Sequence, residues 1–140
     1  MSSYAFNKEF NASFNAQGSE IFKETWLKFK EEEPKTGDYY IAIDLAGFET
    51  LGTKTRSTRL DDTAISVVKV TDTGEWWVKE IIYGRWDLKE TAQTIFKAVT
   101  KYKPVYVGIE RGIAQQAVLS PLGDLMRREN KYFNIQTLTH

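Results

Sequence analysis

Apolar and polar positions change their period several times along the chain, and each change marks an element. Tyr39-Tyr40-Ile41-Ala42-Ile43-Asp44 is a short apolar run closed by an acid, the signature of a strand. Residues 45–62 are polar and read as a long loop. Thr63–Val70 and Trp76–Tyr83 read as two further strands, with Asp72-Thr73-Gly74 between them as a hairpin turn. The period then lengthens. Leu88, Ala92, Ile95, Phe96 and Val99 fall on one face of a helix, Asp87 caps it, and Glu90, three residues on, completes a capping box. Lys103-Pro104 stops it. Val105–Glu110 is a fourth strand, again apolar and again closed by an acid. Residues 112–129 are helical, with a kink or restart expected at Ser120-Pro121. Tyr132–Leu138 reads as a fifth strand.

The first part of the chain is patterned differently. Phe6, Phe10 and Phe14 recur at helical spacing among Asn, Ser and Ala. Residues 19–33 read as a helix capped by Ser19, with Ile21, Phe22, Leu27 and Phe29 as apolar contacts, ended by Pro34. Pro34-Lys35-Thr36-Gly37-Asp38 is a linker. The expected division is a helical and linker segment over 1–36 and a folded domain over 37–140. In that domain a hairpin pair leads into alternating helices and strands. This predicts a mixed sheet covered by helices, with the first, fourth and fifth strands as parallel neighbours.

Composition narrows the chemistry. The chain has 140 residues, of which 41% are hydrophobic and 27% charged, values that fit a folded domain rather than a disordered one. With no cysteine, a disulfide scaffold, a thiolate zinc site and a cysteine nucleophile are excluded. The one histidine is the last residue, His140, which argues against a Ser-His-Asp triad or an HExxH zinc site. Lysine and arginine balance the acids, so any attraction to nucleic acid has to be local. No apolar run approaches the roughly 20 residues of a membrane span, and the N-terminus lacks a signal-peptide core, so a cytoplasmic setting is expected.

The carboxylates are left to carry chemistry. Asp44 and Glu110 each close an apolar strand, and alternation puts Asp44 on the face of Ala42 and Glu110 on the face of Gly108. If those strands are neighbours, about 4.8 Å apart, the two carboxylates meet. Such a pair repels unless one member is protonated or a cation lies between them, and hard oxygen donors suit magnesium or manganese. The plain alternative for either acid alone is a helix cap or a solvated loop residue. The stretch 45–62 adds Lys54, Arg56 and Arg59 as candidate phosphate contacts and Asp61-Asp62 as acids that return toward the second strand. Arg111, directly after Glu110, is a further candidate phosphate contact. Solvated charge is the plain reading of each of these cations. Trp26, Trp76, Trp77 and Trp86 read as core or boundary residues.

Three stretches together resemble the RNase H-like superfamily, and within it the C-terminal nuclease domain of phage terminase large subunits. The first is Ile41-Ala42-Ile43-Asp44 with Asp61-Asp62-Thr63-Ala64-Ile65-Ser66-Val67. The second is Arg85-Trp86-Asp87-Leu88-Lys89-Glu90-Thr91. The third is Val107-Gly108-Ile109-Glu110-Arg111-Gly112 with Gln115-Gln116 and the closing Ile135–His140. The resemblance implies an α/β fold: an RNase H-like mixed five-stranded sheet in the order 3-2-1-4-5, flanked by helices, with the second strand antiparallel to the first and third. It implies a two-metal endonuclease using Mg2+ or Mn2+ to cut concatemeric double-stranded DNA during packaging. Asp44 matches the first-strand metal ligand, Glu110 the fourth-strand ligand and Asp61 a further acid after the loop, with Asp62 its neighbouring candidate. The implied partners are double-stranded DNA, a motor ATPase domain, a portal and a small terminase subunit, in the cytoplasm of an infected bacterium.

The chain departs from that pattern in two ways. It has no Gly-x-x-x-x-Gly-Lys-Ser/Thr loop, and after Glu110 its only acids are Asp124 and Glu129, whereas the family places a further metal-binding Asp in a later segment. A fragment with little activity of its own is therefore expected. Two other classes compete. Ile41-Ala42-Ile43-Asp44-Leu45-Ala46-Gly47 also resembles the phosphate-binding first strand of actin-like ATPases and sugar kinases. A non-catalytic RNase H-like interaction domain would use the acids only structurally.

Overall fold

The computed structural model describes residues 24–47 and 62–139. The chain divides into two compact units, 1–32 and 33–140. The described part of the first contains one 3-10 turn, Glu24–Trp26. The second contains five strands, β1 (Asp38–Asp44), β2 (Thr63–Val70), β3 (Trp76–Gly84), β4 (Tyr106–Glu110) and β5 (Gln136–Leu138), and two helices, α1 (Leu88–Tyr102) and α2 (Ile113–Glu129). The strands form one sheet in the order β3-β2-β1-β4-β5. β2 runs antiparallel to β1 and β3, while β1, β4 and β5 are parallel. This is the mixed α/β layout expected of the RNase H-like resemblance.

Local chemistry accounts for the joints. At the hairpin, Gly74 donates its N–H to the Thr71 carbonyl (2.9 Å) and adopts a φ of +85°, a region that glycine enters without steric cost. The capping box at the start of α1 is complete. The Glu90 N–H donates to Asp87 Oδ1 (2.8 Å) and the Asp87 N–H donates to Glu90 Oε2 (3.0 Å). Lys103 ends α1 in the left-handed region, ahead of Pro104.

The alternation in β1 puts Tyr39, Ile41 and Ile43 on one face and Tyr40, Ala42 and Asp44 on the other, where they are exposed. The first face packs on both helices. Ile41, Ile43, Ile65, Val67, Val107 and Ile109 from the sheet form one core with Ala92, Ile95, Ala98 and Val99 of α1 and Val118 and Leu122 of α2. Burying one such Ile or Val contributes about 1.5–3 kcal/mol, so this layer holds the sheet's register. The second face stays open among the described residues, where Tyr40, Trp76, Val78, Ile81, Tyr83, Tyr106 and Leu138 all remain exposed. The phase of β3 changes midway because Lys79 is an extra residue between the pairs Val67↔Glu80 and Val68↔Val78. That β-bulge keeps Val78 and Ile81 on the same open face and puts Glu80 and Ile82 on the helix-facing side with Val67 and Ile65.

Four expectations from sequence change here. Residues 27–33 are not helical. Three consecutive glutamates at a helix C-terminus oppose its dipole, Pro34 disfavours helix in the residue before it, and the sheet captures the Glu33 carboxylate. α2 does not restart at Ser120-Pro121: one helix runs from Ile113 to Glu129 with Pro121 inside it, and Val118 and Leu122, on either side of it, are both sealed in the core. β5 starts at Gln136 rather than Tyr132. Phe133 instead packs against Phe96 with its ring tilted and the centroids 6.2 Å apart, so its apolar character serves packing rather than a ladder. Trp26 and Trp76 are not core residues: Trp26 is 61% exposed, and Trp76 is 78% exposed on the open face.

Candidate active site

The acids are placed by register. β1 and β4 pair in parallel through Ala42↔Gly108 and Ile43↔Ile109, and the next residue on each strand is Asp44 and Glu110. Both acids therefore end neighbouring strands at the same level. Both follow a buried isoleucine, so both project from the open face, and both are exposed. Strands in a sheet lie about 4.8 Å apart, so two negative charges share one small region at the C-terminal edge of the parallel strands. In open α/β sheets that edge is where ligand sites form.

Several contacts hold this edge. Past Asp44, the Ala46 N–H donates to Thr63 Oγ1 (3.0 Å). Past Glu110, the Arg111 N–H donates to the Leu138 carbonyl (3.1 Å), which ties β4 to β5. Gln115, nearly buried in the first turn of α2, donates through Nε2 to Thr137 Oγ1 (2.6 Å) and fixes β5 from the helix side. Gly108 belongs to the same edge. A Cβ there would come within 3.0 Å of Leu138 Cδ1 and 3.1 Å of Tyr106 Cε1, so the floor between the acids and Tyr106 is kept low.

The other candidates fall elsewhere. Asp62 precedes β2, and its Oδ1 accepts from Arg85 Nε at 3.0 Å in an exposed ion pair. Arg111 is exposed directly beyond Glu110. Asp61, Lys54, Arg56, Arg59 and His140 lie outside the described residues. Among the described residues no group of three or more acidic or histidine side chains is arranged to hold a metal ion. A shallow groove of about 170 Å3 lies between α1 and α2, lined by Lys89, Gln93, Pro121, Asp124 and Arg128 among others, and includes neither Asp44 nor Glu110.

Sequence reading missed a second polar cluster, at the opposite end of β1. The Glu33 carboxylate accepts from Lys79 Nζ, from the Tyr39 hydroxyl and from Lys69 Nζ (3.4 Å). Lys79 first, and then Tyr39, hold its pKa down from 4.5 to about 2. Lys69 is only 8% exposed. Its ammonium also donates to the Pro34 carbonyl and lies 5.4 Å from the centre of the Tyr39 ring. Among the described residues every partner of that buried charge comes from residues 33–39, so the cluster straps the segment before β1 onto the sheet. The usable signal was a lysine at an inward position of an otherwise apolar strand, Val67-Val68-Lys69-Val70, which demands a partner.

Among the described residues no helix is long and apolar enough to cross a membrane. No protein-family model matches the chain. No curated protein matches it either. Among solved structures the chain is similar to the Fowlpox virus resolvase, crystallised with a substrate Holliday junction DNA. The match has 14% sequence identity and a TM-score of 0.43, and it covers 73% of this chain and 62% of that one. The chain thus spans less than two thirds of that resolvase.

Proposed function

We propose that the edge formed by Asp44 and Glu110 is the catalytic centre of a metal-dependent nuclease that hydrolyses phosphodiester bonds in double-stranded DNA. One observation carries this reading: two exposed carboxylates, from segments far apart in sequence, end neighbouring parallel strands at one level of the sheet. Bringing like charges together is unfavourable, and a divalent cation relieves it. The donors fit such an ion, since carboxylate oxygens are the ligands magnesium and manganese prefer. Asp44 and Glu110 would hold it, with Asp61 added by the resemblance to terminase nucleases.

A bound divalent ion would polarise a phosphoryl oxygen and lower the pKa of an attacking water. The chain itself contributes orientation. Both carboxylates stand on paired strands rather than on loops, so their separation is set by the ladder. Arg111 is placed to meet a phosphate beside Glu110, and Lys54, Arg56 and Arg59 are the further phosphate contacts of this proposal. Terminase resemblance adds the finer assignment: a role in cutting concatemeric viral DNA during packaging in the infected bacterial cytoplasm, alongside a motor ATPase domain, a portal and a small subunit.

The test is cleavage of supercoiled plasmid with Mn2+ or Mg2+, run beside Asp44→Asn and Glu110→Gln. Metal-dependent nicking, expected to be weak in this chain and stronger with Mn2+ than with Mg2+, that disappears in both variants supports the reading. Equal nicking by the parent and both variants would remove it. A second reading is favoured by the open apolar face around Trp76, Ile81 and Tyr83, which suits an interaction domain that keeps the fold and uses the acids structurally. In that case the parent binds no Mn2+ at millimolar concentration.

A further inference from the structure

The two acids are held differently on their outer sides. Beyond Glu110 the tie is backbone to backbone, from the Arg111 N–H to the Leu138 carbonyl. Beyond Asp44 it depends on one side chain. The β1–β2 ladder ends at Asp44↔Ala64, and the hydroxyl oxygen of Thr63 takes the Ala46 N–H two residues further on. Thr63 is completely buried, although it stands at the first position of a strand, where a polar side chain is ordinarily solvated. Thr63 itself has no solvent access and Ala46 is only partly exposed, so without the hydroxyl the Ala46 amide loses the acceptor that the fold sets against it.

We propose that Thr63 is a positioning residue for the metal-binding edge. By accepting from Ala46 it extends the β1–β2 pairing past Asp44, clamps the carboxylate between two ties, and so sets the affinity of the Asp44–Glu110 pair for a divalent cation. The same bond joins the two flanks of the intervening stretch, which contains Asp61, Asp62 and the candidate phosphate contacts Lys54, Arg56 and Arg59. Two residues before Ala46 stands the acid itself; one residue before Thr63 stands Asp62. A slack junction there would let the Asp44 backbone pivot on Ile43, and a pair of carboxylates that can swing apart under mutual repulsion holds a cation less well.

The inference rests on the metal reading proposed above, and the experiment separates the two. Mn2+ binding to the full 140-residue chain is measured by calorimetry for the parent, Asp44→Asn, Thr63→Val and Thr63→Ser, with a metal-free melting curve for each. Thr63→Val keeps the shape and removes the hydroxyl, while Thr63→Ser keeps the hydroxyl. The expected result is roughly tenfold weaker Mn2+ binding by Thr63→Val, the scale seen when a partner behind a ligand is lost. Thr63→Ser should stay within about twofold of the parent, since the acceptor that orients the site is retained. Parent binding indistinguishable from Asp44→Asn would remove the metal reading, and this inference with it. A parent that binds, beside a folded Thr63→Val that binds equally well, overturns the inference alone. If Thr63→Val does not fold, hydrogen exchange of the Ala46 amide in the parent decides. Protection that Thr63→Ser preserves, together with its near-parental Mn2+ binding, supports the clamp, and exchange at the rate of an open amide overturns it.

Discussion

Ile43 and Ile109 are register partners across β1 and β4, both sealed beneath α1 and α2, and the residue after each is an acid. The core thereby aims both carboxylates at the open face of the sheet. Rotating either strand to move its carboxylate would drag a buried isoleucine toward water, at a cost of about 1.5–3 kcal/mol.

Ile109→Ala should lower unfolding free energy by about 2–5 kcal/mol in urea denaturation, since it deletes core volume at a position with no solvent access. A loss below about 1 kcal/mol would mean the site had collapsed around the gap, and would contradict the close packing described for that layer.

Removing the Asp44 carboxylate should leave the metal-free protein as stable as the parent, within about 0.5 kcal/mol, because Asp44 is exposed. Manganese should then raise the melting temperature of the parent alone. At a hundredfold excess over its dissociation constant a ligand contributes about 2.7 kcal/mol, a shift that scanning calorimetry resolves easily. A manganese-induced shift of equal size in Asp44→Asn would place the ion elsewhere.

The strap at Glu33 predicts acid sensitivity of a definite sign. Its folded pKa, about 2, lies below the ordinary 4.5, so the unfolded chain binds the proton more readily and stability rises with pH across that interval. The contribution is complete above about pH 4.5 and is lost as the pH falls toward 2. Glu33→Gln should be less stable at neutral pH by about 1–2 kcal/mol, the scale of a partly solvated charge-assisted bond, and should show a flatter acid limb. Superimposable melting profiles of the two proteins between about pH 5 and pH 2, a range that spans the transition, would refute this role.

DNA affinity on the proposed reading should be insensitive to sequence and steep in salt, since neutralising phosphates releases counterions. Replacing Lys54, Arg56, Arg59 and Arg111 together by Ala should reduce the slope of log K against log salt by about 0.9 for each phosphate that is no longer neutralised. An unchanged slope would put the DNA surface on other residues.

Much of this molecule is determined by short-range pattern. The strands of the hairpin, the turn at Gly74, the box joining Asp87 and Glu90, and the inward isoleucines of β1 and β4 each depend on neighbours a few residues away. Periodicity and capping chemistry therefore expose them in the sequence. The adjacency of β1 and β4 was legible for a related reason: two acid-closed apolar runs, joined through helical crossovers, have few ways to lie in one sheet.

What only the tertiary structure decided is where long-range partners overrule local preference. Glu33 abandons the helix expected over 19–33 because Lys69 and Lys79, 36 and 46 residues away, offer its carboxylate more than one further helical turn would. Pro121 stays within α2 because Val118 and Leu122 are already sealed in the core on either side of it. Glu80 and Ile82 lie on the helix-facing side with Val67 and Ile65 because a single bulge at Lys79 shifts the phase of β3, and in a period of two one extra residue reverses every later side chain. Thr63 gains its place in the same way. Nothing in its neighbours distinguishes it from any other strand threonine until the fold sets Ala46 against it.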